Sequence, residues 1–205
     1  MKKLVDGNGF CERIQSQGLD LRAEFHSPEI VRIVKTPADA PAGTEASFSV
    51  ASRPEKTRVV VEETPETISA ASDAMKVVLN RATGSLRFLR ADGTEFLAET
   101  PQEPTTFVPT RYASGETFRI RQAFRLDERE AIYGFGQQQN GRLSQRSEQI
   151  LLLQDNRFVC MPLFQSVKGY GVFLDNPSVA RFDGAHRHGA VFEFEAGERI
   201  NYYVM

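Results

Sequence analysis

Apolar and polar residues alternate with a period of two through most of this chain, and helical periodicity is not sustained over about eleven residues anywhere. The clearest run is FRIRQAFRL at 118–126, where Phe118, Ile120, Phe124 and Leu126 share one face and Arg119, Arg121 and Arg125 the other. That is a strand with one wet side. Similar runs at 19–25, 30–34, 57–61, 75–79, 170–174, 190–194 and 200–204 predict an all-β, mostly antiparallel protein. Residues 75–80, RATG at 81–84 and residues 85–90 read as a hairpin, and ADGT at 91–94 turns the chain into 95–98 to complete a three-stranded meander. Two Pro-rich stretches, TPADAPAG at 36–43 and TPQEPTTFVP at 100–109, read as long surface loops. So many short strands predict a two-sheet antiparallel β-sandwich, with a closed barrel as the alternative.

The 205 residues form one expected domain, with residues 1–18 as a loosely ordered lead-in. A (β/α)₈ barrel takes about 250 residues by itself. Lys and Arg number 25 against 27 Asp and Glu, and a net charge of −2 gives no electrostatic reason to gather on nucleic acid or anionic lipid. No run of about 18 apolar residues exists to span a membrane. The opening MKKLVDGNGF lacks the apolar stretch of a signal peptide, which leaves the compartment open: cytoplasm, or periplasm and exterior for a chain whose signal was removed. At the other end, ERINYYVM at 198–205 runs out on apolar and aromatic residues without a turn or polar tail. An unshielded strand of this kind invites association, so the chain is expected to come from a longer polypeptide that covers it.

Cys11 and Cys160 stand far apart and form no CxxC unit, so both read as ordinary thiols. The glycines of GFGQQQNG (134–141) do not fit a dinucleotide loop. The third falls too late for GxGxxG and no βαβ pattern surrounds it, so a bulge or close backbone approach at a strand end is the simpler reading. His186 and His188 share a strand face on paper, yet Gly184, Arg187 and Gly189 around them describe an exposed loop, and His26 reads as a turn residue. Glu193 and Glu195 lie opposite Phe192 and Phe194, as on any half-solvated strand, while Asp127, Glu128 and Glu130 mix with Arg129 in a charged connection. Two polar loops stand out, 137–141 (QQQNG) and 154–157 (QDNR), rich in amide donors and acceptors of the kind that recognise sugars.

Together, YGFGQQQNG, MPLFQSVKGYGVFLDNPS and the closing INYYVM resemble the N-terminal domain of glycoside hydrolase family 31, the α-glucosidase and α-xylosidase family. SPEIVRIVKTP and LNRATGSLRFLRADGTEFLAE fit the same resemblance, which spans roughly residues 19–205. The GQQQNG form and the QDN before MPLF are more similar to bacterial α-xylosidase-type members. The resemblance implies a galactose-mutarotase-like β-sandwich in front of a (β/α)₈ catalytic barrel that carries both catalytic Asp residues. It thus places no catalytic residue in this chain and requires no metal or organic cofactor. It also implies a sandwich loop at the rim of the barrel's pocket, acting on an α-linked oligosaccharide. Carried onto this sequence, that loop supplies Asp155, Asn156 and Arg157, with Gln139 and Asn140 as further substrate-binding candidates. Arg157 and Cys160 stand where related sequences often carry smaller or aliphatic residues, which leaves the sugar open.

Two other classes compete. An independent carbohydrate-binding module would rely on aromatic stacking, and a chain with no Trp and 5 Tyr is poor in material for it. A free-standing sugar epimerase needs a His and a carboxylate at one sugar carbon, and none of the 3 His falls in the informative segment.

Overall fold

The computed structural model describes residues 2–3, 7–38, 40, 47–112 and 115–205. Among them are eighteen strands and no helix. In chain order these are β1 (Lys2–Lys3), β2 (Gly9–Ile14), β3 (Leu19–Ser27), β4 (Ile30–Pro37), β5 (Val60–Glu63), β6 (Thr67–Ala71), β7 (Met75–Asn80), β8 (Leu86–Arg90), β9 (Glu95–Glu99), β10 (Thr106–Tyr112), β11 (Gly115–Arg125), β12 (Ile132–Gln137), β13 (Gln149–Leu152), β14 (Val159–Ser166), β15 (Tyr170–Leu174), β16 (Ala180–Asp183), β17 (Ala190–Gly197) and β18 (Ile200–Val204). They form two antiparallel sheets. The eight-stranded sheet runs β1-β2-β3-β4-β18-β15-β14-β12, and the ten-stranded sheet runs β13-β16-β17-β11-β9-β8-β7-β6-β5 with β10 also on β11.

The sandwich follows from the alternation. Inward residues of both sheets, among them Phe25, Ile33, Phe88, Phe124, Phe164, Phe192 and Tyr202, form one contiguous core. Fully burying one such side chain contributes about 1.5–3 kcal/mol, which is why the period-two pattern outweighs local detail. The predicted hairpin and meander are present as β7, β8 and β9. Three expectations need correction. Part of the lead-in is a paired strand, because β2 lies along β3 and buries Phe10 and Ile14. The expected loop at 100–109 becomes strand from Thr106 onward, since β11 is long enough to carry β10 beside it. The run at 57–61 forms strand only from Val60. Of the other predicted loop, residues 39 and 41–43 lie outside the described residues.

At one end of the core the apolar pattern is interrupted. Lys35 on β4 and Glu99 on β9 are 1% and 4% exposed and pair across the two sheets at 2.7 Å. Thr105 Oγ1 accepts a hydrogen bond from Lys35 Nζ and donates one to Gln122. Gln122 Nε2, Tyr202 OH and the Leu86 amide all donate to the Glu99 carboxylate. Burying two charges costs several kcal/mol per ion, and only such complete pairing offsets it.

The GFG segment is the second irregularity. β12 shifts register against β14 between Gly134 and Gly136, and residues 134–136 all have positive φ, Phe135 included at 66°. A Cβ on Gly136 would lie 2.0 Å from the Val159 carbonyl oxygen. The close-approach reading of these glycines therefore holds. Phe135 accepts backbone strain of roughly 1–2 kcal/mol. Its fully buried ring, centred 4.6 Å from that of Phe182, contributes at least as much in return.

Two outcomes are expected in urea denaturation. Gly141 has φ of +68° with open space around it, so Gly141→Ala should cost about 1 kcal/mol, whereas Gly136→Ala should cost at least about 2 kcal/mol more. Lys35→Met, which strands the Glu99 carboxylate in the core, should cost about 3–5 kcal/mol.

Candidate functional site

One end of the sandwich gathers the polar loops. Gln137, closing β12, pairs with Val159, opening β14, so the amide-rich stretch and the 153–158 loop leave the same sheet side by side. The β15–β16 connection sits next to them, its Asp175 amide bonded to the Asn201 carbonyl near the start of β18. A cleft of about 330 Å³ lies between the start of the 153–158 loop and the β15–β16 connection, and none of the five expected substrate residues lines it. Leu152, Leu174, Ala180 and Phe194 form its apolar lining, and Gln154, Asp175 and Asn176 supply polar groups. Phe48 at its margin is 94% exposed.

The 154–158 loop is shaped by its own residues. The Asp155 carboxylate accepts the Arg157 amide at 2.7 Å and the Phe158 amide at 3.1 Å, and it also receives the Arg157 guanidinium at 2.9 Å. These bonds, with the Arg157 charge, hold the Asp155 carboxyl below its ordinary value. The guanidinium also stands 5.3 Å from the Phe158 ring centroid, a cation–π distance. Gln154 Oε1 accepts the Cys160 amide at 2.9 Å, fixing the return into β14. The Cys160 thiol is half-buried and desolvation pushes its pKa up, so it is not activated as a nucleophile.

Of the five residues expected to touch substrate, four come together. Gln139 Nε2 donates to the Arg157 carbonyl at 2.9 Å and thereby joins Asp155, Asn156 and Arg157. Asn156 is exposed at the tip. Asn140 is held elsewhere, donating to Gln145 at 2.8 Å and accepting from the Arg142 amide within its own turn. Sequence reading passes over Asp175 and Asn176, because DNPS scans as a strand-ending turn. Asp175 nonetheless accepts from Ser47 Oγ and Asn201 Nδ2 and presents its carboxylate beside the cleft.

Other titratable groups serve the scaffold. Glu130, expected in a charged connection, is buried instead. Burial alone would raise its pKa, but donors from Ser166, Tyr170 and Lys168 outweigh this and hold it below the ordinary value. Glu99 and Glu130 are both saturated by donors, and neither lines the cleft. His186 lies 3.5 Å from Glu103 and near Arg121, with its ring 5.6 Å from that of His188. Among the described residues no group of three or more His, Cys, Asp or Glu is arranged to hold a metal ion. The arrangement at this end presents polar groups on a fixed loop. Asp155→Asn, by weakening the clamp, should speed hydrogen exchange at the Arg157 and Phe158 amides about tenfold while shifting global stability by less than about 0.5 kcal/mol.

Comparison with known proteins places this geometry in a lineage. Residues 20–183 match the glycosyl hydrolase 31 N-terminal galactose mutarotase-like domain. An α-xylosidase of Saccharolobus solfataricus is 29% identical over 197 residues, which is 91% of this chain and 26% of that protein. The α-glucosidase 2 of Bacillus thermoamyloliquefaciens is 26% identical over 198 residues, or 90% of this chain and 24% of that one. The chain thus spans about a quarter of the curated relatives it matches. In fold it is similar to a GH31 α-xylosidase from Xanthomonas citri, with a TM-score of 0.78 at 23% identity over 88% of this chain and 20% of that one. With four-fifths of its length on the family pattern and both sheets in place, the chain belongs to the family of glycosyl hydrolase 31 N-terminal galactose mutarotase-like domains.

Proposed function

We propose that residues 1–205 are the single, non-catalytic N-terminal domain of a retaining α-glycosidase that removes terminal α-linked glucose or xylose from oligosaccharides. The observation that carries this reading is the family match, with relatives named α-xylosidase and α-glucosidase that are about four times longer than this chain. In this reading the bond is broken by two carboxylates of a (β/α)₈ domain, one as nucleophile and one as acid and base, about 5–5.5 Å apart. The sandwich packs on that domain and offers the 154–158 loop to the rim of its pocket.

The loop's construction supports that role. Specificity at a pocket rim depends on groups held in one place, since an ordered donor costs less entropy when substrate arrives. Asp155 clamps the loop backbone, Gln139 ties it to the neighbouring strand end, and Arg157 is fixed between a carboxylate and a ring. Asn156 and the outer edge of Arg157 are then the groups left to face a sugar hydroxyl.

The test has two arms. The isolated chain should not hydrolyse aryl α-xylosides or α-glucosides, and oligosaccharide binding tighter than about millimolar would instead favour a free-standing binding module. In the full-length polypeptide, Arg157→Ala should change the ratio of kcat/KM for α-xyloside over α-glucoside by about tenfold. An unchanged ratio would remove the rim assignment, and hydrolysis by the isolated chain would remove the whole reading.

A further inference from the structure

Two asparagines of the chain stand directly before a glycine, Asn8 before Gly9 and Asn140 before Gly141. That dipeptide carries its own chemistry. The glycine amide nitrogen can attack the asparagine side-chain carbonyl carbon and close a succinimide ring, because a residue without Cβ leaves the approach unhindered and the backbone free to bend into it. The two copies sit in opposite surroundings.

Asn8 is built into the sandwich. It is 6% exposed, its Nδ2 donates to the Glu55 carbonyl at 3.0 Å, and its own carbonyl accepts the Phe25 amide at 2.8 Å. Gly9 pairs with Glu24 in β3, and a Cβ on it would lie 1.9 Å from the Ala23 carbonyl oxygen. Backbone so confined cannot close a ring until β2 leaves β3.

Asn140 and Gly141 are both exposed, in the turn that follows β12. Gly141 has φ of +68°, and nothing lies within 4 Å of where its Cβ would stand. Its amide donates no hydrogen bond among the described residues, so the attacking nitrogen is free. Asn140 Oδ1 accepts the Arg142 amide at 3.1 Å, which folds the side chain back over the Gly141 peptide and draws electron density from the carbon to be attacked. One contact opposes the reaction: Nδ2, the group that must leave, donates to Gln145 Oε1 at 2.8 Å. A single neutral hydrogen bond slows that departure about tenfold at most. Opening a paired core strand, as Asn8 requires, is the larger obstacle.

We infer that the Asn140-Gly141 step is a site of spontaneous covalent modification, at which the turn converts itself to aspartate and isoaspartate while Asn8-Gly9 stays intact. The Gly141 amide gives its proton to hydroxide, its nitrogen bonds to Asn140 Cγ, and the Cγ–Nδ2 bond breaks with Nδ2 leaving as ammonia. Water then opens the ring. Cleavage of the new Cγ–N bond gives aspartate, whereas cleavage of the original C–N bond leaves the main chain running through Cγ as isoaspartate. Water is consumed and ammonia released, with no change of oxidation state. Either product puts a carboxylate in place of the Nδ2 donor to Gln145, a side chain 4% exposed. Isoaspartate also lengthens the main chain immediately after Gln139, whose Nε2 holds the Arg157 carbonyl at 2.9 Å. The modification thereby loosens the tie between the amide-rich stretch and the 154–158 loop as the protein ages.

Peptide mapping by mass spectrometry tests this on the 205-residue chain aged in mildly alkaline buffer, folded and in urea, with isoaspartate scored by enzymatic methylation. In the folded chain residue 140 should convert at least about tenfold faster than residue 8, and in urea the two should convert at similar rates. Conversion at 140 should quicken as pH rises, since the attack needs a deprotonated nitrogen. Gly141→Ala should slow it about tenfold. Residue 140 staying an amide in the folded chain while converting in urea means that the turn and Gln145 protect it, and overturns the inference. Equal rates at 8 and 140 in the folded chain place the reaction in transiently unfolded molecules and overturn it too. Conversion without isoaspartate, or at a rate Gly141→Ala leaves unchanged, removes the ring closure on which the inference stands.

Discussion

The charge pair between Lys35 and Glu99 sets the terms for the rest of the sandwich. Elsewhere the inward positions are interchangeable in kind, because apolar burial is non-directional and tolerates many packings. An ion pair in the core is directional. Glu99 must meet Lys35 from β4, Gln122 from β11, Tyr202 from β18 and the Leu86 amide at one carboxylate. That fixes β4 and β18 of one sheet over β9 and β11 of the other in a single register. A slip of one residue would turn Lys35 outward and leave Glu99 buried without a cation.

At the β12 edge of the eight-stranded sheet the strained GFG turn fixes local geometry much as the ion pair fixes register between the sheets. Three positive φ values in succession bend the edge strand, drive Phe135 into the rings of Phe182, Phe164 and Phe192, and leave Gln137 paired with Val159. The amide-rich stretch therefore emerges beside the 154–158 loop. Bulged, twisted edges are also poor templates for pairing with a second chain.

Sheet architecture was legible in the sequence because alternation is a direct imprint of a two-faced strand, as in FRIRQAFRL and the meander from 75 to 98. The Gly134 and Gly136 pair was legible as a bulge for a similar reason, since only such residues tolerate a carbonyl so near. What escaped were features that exist only between distant segments. Nothing around Glu130 or Lys35 marks them as buried, because their partners lie 36 and 64 residues away. β2 and β10 escaped as well, being strands held by long neighbours more than by their own pattern. At the candidate site, Gln139 and Arg157 are joined by a hydrogen bond and Asp155 holds Arg157. Asn140 lies apart, its amide bonded to Gln145.

The Asp155 clamp uses only groups within four consecutive residues, 155–158, and makes no demand on the core. Its shape is thus carried by a short module whose most outward member, Asn156, bonds to none of the clamp atoms. Diversity can accumulate at that single tip without disturbing the platform beneath it, so a change of side chain there alters what the loop presents and leaves the fold of the sandwich as it is.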